Sequence, residues 1–264
     1  MENHSTNDPT SDDEINFGFR RVGKNEHAGL VSTLFESVAD RYDIMNDLMS
    51  GGLHRLWKQT LVDRINPQPD MRLVDVAGGT GDIIFRFLKK LEGKSDNGVK
   101  ANQTIICDPN KEMLRVAQKK AIDKGYLEGI NFIQASAEGL PLHDRSADVC
   151  TISFGLRNVT DRVAGLAEIF RILDFSGHFI CLEFSPAVMP FLAPLYDTYS
   201  THILPWLGKH VAGNEEAYEY LVESIRCFPE PAALTEEMRN TGFSNIQCQI
   251  MSGGIVAIHS GWRL

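Results

Sequence analysis

Apolar residues at Val31, Leu34, Phe35 and Val38 recur at helical spacing in the stretch "HAGLVSTLFESVADRYDIMNDLMS", so the hydrophobic pattern opens on helix. Ser50-Gly51-Gly52 interrupts it. A second helix begins after Gly52, carries Leu56, Trp57 and Leu61, and reaches Ile65 before Pro67 and Pro69 stop it. From residue 71 the rhythm changes to short apolar runs that alternate with amphipathic ones. "RLVDVAGG", "QTIICD", "INFIQA", "ADVCTISF" and "GHFICLEF" read as strands, and "DIIFRFLKKLE", "NKEMLRVAQKKAIDKG" and "RVAGLAEIFRIL" as helices. Such alternation predicts βαβ units around a parallel sheet, whose strands are buried on both faces and lack strict alternation. Past residue 185 prolines chop an apolar, aromatic stretch into short helices, a lid or an insertion. Two helices follow, "NEEAYEYLVESIRCF" and "EPAALTEEMRNTG", then two closing strands around Ser252-Gly253-Gly254.

This divides the chain into a disordered tail at 1–15 and one domain at 16–264. Within the domain, 16–69 is an N-terminal helical cap, 70–185 the nucleotide-type core, 186–228 the lid or insertion, and 229–264 the last helix and closing strands. The 264 residues carry a formal charge of -9 with no basic run, which argues against nucleic acid as a partner. Five cysteines without CxxC spacing read as reduced thiols, and eight scattered histidines make no metal pair. The polar, acidic N-terminus has neither a signal-peptide pattern nor a presequence pattern. No apolar run is long enough to span a bilayer.

The candidate chemistry sits where strand meets helix. "VDVAGGTGD" places Gly78, Gly79, Thr80, Gly81 and Asp82 in a turn that lets backbone approach a ligand at a helix N-terminus. A dinucleotide fingerprint starting at Gly79 needs Gly or Ala where Ile84 stands, and the Lys of a P-loop is absent. The acidic-x-Gly/Ala-x-Gly-x-Gly pattern of S-adenosylmethionine (SAM) enzymes does match, as Asp75, Ala77, Gly79 and Gly81. Asp108, followed by Pro109, ends the second strand, where its carboxylate can accept both ribose hydroxyls; a helix N-cap is the competing role. Ser136 and Ala137, with Glu138 nearby, fall in a loop beside the adenine. Ser153 to Asn158 lie at the carboxyl edge, where open α/β sheets bind ligands.

Five blocks together resemble the ubiquinone/menaquinone biosynthesis C-methyltransferase family of class I SAM-dependent enzymes: "YDIMNDLMSGGLHRLWK", "VDVAGGTGD", "TISFGLRNVTD", "YLVESIRCFP" and "GGIVAIHSGW". The resemblance implies a Rossmann-like α/β fold, a seven-stranded mostly parallel sheet with one antiparallel strand and helices on both faces. It implies SAM as cofactor, held at Thr80, Asp108, Ser136, Ala137 and Ser153, and methylation of a ring carbon of a polyprenyl quinol. Two departures stand out. Asp174-Phe175-Ser176-Gly177 replaces the family's Lys-Pro-Gly-Gly before the fifth strand, and Ser136 replaces a frequent Asn.

On that reading, polar groups near Arg157 and Asn158 orient the quinol oxygen. Arg157 is too basic to take the proton, which passes to a water held by Asn158, or to Tyr42, His54 or Asp43. Met45, Leu48 and Met49 offer an adaptable substrate-side wall with Ser50-Gly51-Gly52 as hinge. The apolar stretch at 187–207 is the opposite wall, with Trp206, Leu207 and Lys209 at a membrane surface or a dimer interface. The protein is expected in a bacterial cytoplasm, peripheral at the inner membrane, or in the mitochondrial matrix, alone or in a quinone-biosynthesis complex. The competing functions are a catalytically silent SAM-binding subunit and a Rossmann oxidoreductase.

Overall fold

A computed structural model describes residues 14–92, 104–189 and 215–264. The chain enters through a hairpin of β1 (Glu14–Phe17) and β2 (Arg20–Gly23). Helices α1 (Lys24–Val38), α2 (Tyr42–Ser50) and α3 (His54–Ile65) follow. Strands and helices then alternate as β3 (Leu73–Val76), α4 (Asp82–Glu92), β4 (Thr104–Asp108), α5 (Lys111–Asp123) and β5 (Ile130–Gln134). The second half holds β6 (Ala147–Ser153), α6 (Arg162–Ile172), β7 (Leu173–Phe184), α7 (Glu215–Cys227), α8 (Pro231–Thr241), β8 (Ser244–Met251) and β9 (Val256–Arg263).

Seven strands pair in the order β5-β4-β3-β6-β7-β9-β8, with β9 antiparallel to both neighbours. All four residues of β3 are buried, which is why its sequence shows no polar face. Each face of the sheet carries its own core. On one, Ile84, Phe87 and Leu88 of α4 pack with Leu61 and Val62 of α3 and Tyr218 and Leu221 of α7. On the other, Leu166, Ile169 and Ile172 of α6 pack with Leu234 and Met238 of α8. Burying each such Leu, Ile or Phe contributes roughly 1.5–3 kcal/mol, so helices on both faces hold the sheet. Strand order reverses between β3 and β6. The loops after these strands part there, and the crevice opens at the carboxyl edge.

The helix ends follow the sequence. Asn110 caps α5 by accepting the Glu112 and Met113 amides at 3.0 and 3.1 Å. Pro231 opens α8, and Gly242, at φ +114°, closes it.

Three local expectations change. A strand begins at Glu14, inside the stretch read as disordered tail; four-residue strands show too little alternation to read. The first helical stretch breaks at a 3-10 turn, Ala39–Arg41, before α2. The turn placed at Asp174–Gly177 is a kink within continuous β7, with Ser176 at φ +61°. There Asp174 Oδ2 accepts Arg72 Nη2 at 2.8 Å, beside the Arg72–Asp148 pair. The wall at 187–207 lies almost wholly outside the described residues, as do Trp206, Leu207 and Lys209. No helix among the described residues is long and apolar enough to cross a membrane.

Candidate active site

The loops after β3, β4, β5 and β6 and the inner sides of α1 and α2 enclose about 830 Å³ of atom-free space, mouth included. That suits a nucleoside-sized ligand with room beside it. The glycine turn forms part of the floor. Gly78 N–H donates to Cys107 O at 3.0 Å, and a Cβ on Gly78 would stand 2.9 Å from both Asp75 Oδ2 and Ile106 Cγ2. Gly79, at φ +53°, lines the cavity and donates its N–H to Asp108 Oδ2 at 2.8 Å. Asp108 Oδ1 accepts Asn110 N–H at 2.8 Å. Asn110 is therefore the helix cap, and the Asp108 carboxylate faces the cavity. Burial pushes Asp108 up to about 6, against the pull of those two amides.

Asp75 lies beneath the turn. Its Oδ1 accepts Thr151 Oγ1 at 2.6 Å, and its Oδ2 has no hydrogen-bond partner among the described residues. Burial pushes this acid up to about 7. Across the cavity Ser136 donates to Glu138, which also accepts Asp161 N–H at 3.1 Å.

Of the residues read from the sequence, Gly79, Asp108, Pro109, Ser136, Ala137, Asn158 and Tyr42 line this one cavity. Gly78 and Gly81 shape the turn beneath it without lining it. The other candidates sit elsewhere. Thr80 is buried and donates to Asp43 Oδ1 at 3.1 Å; Asp43 also pairs with Lys120, which ties α2 to the turn and to α5. Asp82 pairs with Lys58 at 3.0 Å and Arg86 at 2.9 Å. Burial would raise Asp82, but these cations hold it at about 2. His54 meets Ser50 Oγ at 2.8 Å; burial, with Lys58 nearby, lowers its pKa.

Arg157 corrects an expectation. Its side chain is 5% exposed and its Nη1 pairs with Glu183 Oε1 at 2.9 Å, off the cavity wall. The 3-10 turn Leu156–Asn158 explains this, because three residues per turn aim adjacent side chains about 120° apart. Arg157 and Asn158 cannot face the same way. Ser153 Oγ is likewise buried off the wall without a hydrogen-bond partner among the described residues. The wall there is Phe154, swung in by φ +57°.

Sequence reasoning missed Thr160, Phe35 and Val31 on the wall, and His27 and Tyr220 behind it. His27 Nδ1 meets Thr160 Oγ1 at 2.9 Å, and Tyr220 donates to Asn158 Oδ1 at 3.1 Å. Tyr220 opens "YLVESIRCFP", a helical block that carries part of the resemblance but names no site residue.

The model of the ubiE/COQ5 methyltransferase family matches residues 21–263. The chain belongs to this family. A "2-methoxy-6-polyprenyl-1,4-benzoquinol methylase, mitochondrial" of Danio rerio is 44% identical, the match covering 97% of this chain and 86% of that protein. A "Ubiquinone/menaquinone biosynthesis C-methyltransferase UbiE" of Bradyrhizobium sp. is 48% identical over 96% of this chain and 99% of its own. Among solved structures, a SAM-dependent methyltransferase of Thermotoga maritima superposes with TM-score 0.57 at 20% identity, covering 88% of this chain and 100% of that one. The [4+2]-cyclase SpnF superposes with TM-score 0.61 at 14% identity, covering 88% and 94%. These two carry the fold alone, and a cyclase among them shows that the fold does not choose the reaction.

The ubiE/COQ5 enzymes are SAM-dependent methyltransferases, and the cavity fits that cofactor. The cavity-facing Asp108, with Gly79 beside it on the wall, suits a polar nucleoside.

Proposed function

We propose that this methyltransferase methylates a ring carbon of a reduced polyprenyl quinone precursor, a benzoquinol or a demethylmenaquinol. One observation carries the reading. One cavity is lined both by loop residues suited to a nucleoside (Gly79, Asp108, Ser136, Ala137) and by apolar or aromatic residues of α1 and α2 (Val31, Phe35, Tyr42), with Asn158 on the same wall. The names of the relatives at 44% and 48% identity support the ring class.

When bound, S-adenosylmethionine supplies an electrophilic methyl group on a sulfonium. Asp108 would accept the ribose hydroxyls, Gly79 would let backbone approach, and Ser136 and Ala137 would meet the adenine with Pro109 beside them. Gly78, Thr80, Gly81 and Asp82 hold the turn in shape. Phe35 and Tyr42, tilted against each other with ring centroids 6.1 Å apart, would line one side of the substrate ring. A ring carbon becomes nucleophilic as an adjacent hydroxyl loses its proton, and Asn158 would stabilise the charge left on that oxygen. Arg157 acts indirectly, since its pair with Glu183 fixes the turn that presents Asn158; His54 and Ser153 are assigned no direct contact. Helices α1 and α2 form the cap, held shut by Asp43. Mitochondrial and bacterial relatives support work in a mitochondrion or a bacterial cell, and a polyprenyl tail on the substrate favours work at a membrane surface.

The test is methyl transfer from labelled SAM to short-tailed demethyl benzoquinol and demethyl naphthoquinol, both kept reduced, with products identified by mass. Carbon methylation of either is the expected result. Binding of SAM without transfer to any quinol would overturn it.

A further inference from the structure

Asn158 is held from behind by a residue far away in the sequence. Its Oδ1 accepts the Tyr220 hydroxyl at 3.1 Å, a contact across 62 positions. Tyr220 is 5% exposed, and burial pushes its hydroxyl up to about 12, so it remains a donor at neutral pH. Its ring stacks on Phe17, with centroids 4.4 Å and planes 26° apart. Phe17 reaches that position through the hairpin turn, where Gly18 has φ +60° and Phe19 N–H donates to Glu223 Oε2 at 3.1 Å. Glu223 and Tyr220 share α7. The hairpin and α7 therefore clamp each other directly behind the cavity wall.

The chemistry of an amide gives this clamp a consequence. An Asn side chain offers an acceptor at one end and two donors at the other, and rotation exchanges them. With the oxygen engaged by Tyr220, only the NH2 is left for the cavity. A donor there stabilises negative charge on a substrate oxygen, while an acceptor would oppose it. We infer that Tyr220, backed by Phe17, is a positioning residue for methyl transfer, locking the Asn158 amide with its NH2 toward the substrate oxygen. This rests on the quinol reading above, and it makes the hairpin and α7 part of the working site.

A double-mutant cycle on the full chain tests it, using Tyr220→Phe, Asn158→Ala and both together. Transfer is assayed with labelled SAM and reduced demethyl benzoquinol, and SAM affinity is read by calorimetry. Removing the hydroxyl should lower kcat roughly 3- to 10-fold, the size of one neutral hydrogen bond. SAM Kd should stay within about twofold, because Tyr220 does not line the cavity. In the Asn158→Ala background the same change should cost nothing further. Phe17→Ala should move kcat in the same direction, again with SAM affinity kept. A Tyr220→Phe enzyme at full kcat, or an equal loss in both backgrounds, would overturn the inference alone. A wild type that binds SAM but methylates no quinol would overturn it together with the reading beneath it.

Discussion

The two ends of the parallel sheet treat their carboxylates in opposite ways. At the amino end Arg72 donates its backbone N–H to Asp148 at 2.8 Å and its guanidinium to both Asp148 and Asp174. Burial alone would raise Asp148, yet those bonds hold it below its usual range; Arg72 likewise holds Asp174 down. Arg171 pairs with Glu168 and Asp144 nearby. At the carboxyl end Asp75 and Asp108 make no ion pair among the described residues, and burial drives them up to about 7 and about 6. The amino end is a completed set of ion pairs. At its counterpart Lys58 and Arg86 hold Asp82, but Asp75 and Asp108 stay buried with no ion pair of their own among the described residues, a cost in stability that a ligand at Asp108 would offset. On the proposed role, ribose hydroxyls would add to the two amides that Asp108 already accepts.

The comparison can be broken from either end. The largest effect should come from Asp108→Asn, which keeps the shape but removes the charge: SAM affinity should fall roughly 100-fold by calorimetry, as loss of charge-assisted bonds predicts. Unchanged affinity would place the ribose elsewhere. Next, Gly78→Ala puts a methyl 3.0 Å from Asp75 O and 2.9 Å from Asp75 Oδ2. It should cost about 1–3 kcal/mol in chemical denaturation, with weaker SAM binding, as overpacking predicts. The smallest effect belongs to the amino end. Arg72→Met removes a pair about one-third exposed, so solvent screening limits the loss to about 1 kcal/mol or less, with SAM affinity unchanged.

What was legible in the sequence follows the same divide. The glycine turn and Asp108 were readable because their chemistry is local: a turn, a strand end, a cap three residues wide. The closing strands were legible around Ser252-Gly253-Gly254, while the single antiparallel strand came through the resemblance. Arg157 lies off the cavity wall, which was not legible because "FGLRN" looks like one face until the 3-10 turn separates its side chains. Ser153 likewise lies off the wall, and the backbone of Phe154 turns to positive φ one residue later. His27 and Tyr220 reach Thr160 and Asn158 across 133 and 62 positions, and no periodicity in their own helices marks them. The hairpin was not legible: Glu14 and Ile15 fell in the polar, acidic stretch read as tail and the rest in the helical cap, and four-residue strands show too little alternation, although Phe17, 3% exposed, is part of the core.

Proton linkage brings the two ends into one experiment. Asp108 is raised in the folded SAM-free protein above its unfolded value of about 3.9. Its contribution to folding is therefore fully present below that value and is lost as pH rises through about 6. Asp148 has the opposite sign: its contribution is present above about 3.9 and is lost as pH falls through its depressed folded pKa. On the proposed role of Asp108, SAM binding uses its ionised form, so binding and SAM-free stability should move in opposite directions through that window.

The most direct measurement is SAM affinity by calorimetry from pH 5 to 8, for the wild type and Asp108→Asn side by side. The wild type should bind evenly above about pH 6 and weaken below it, approaching tenfold per pH unit, while the variant binds weakly with little slope. Parallel curves for the two proteins would contradict the assignment of Asp108 as the group that holds the cofactor.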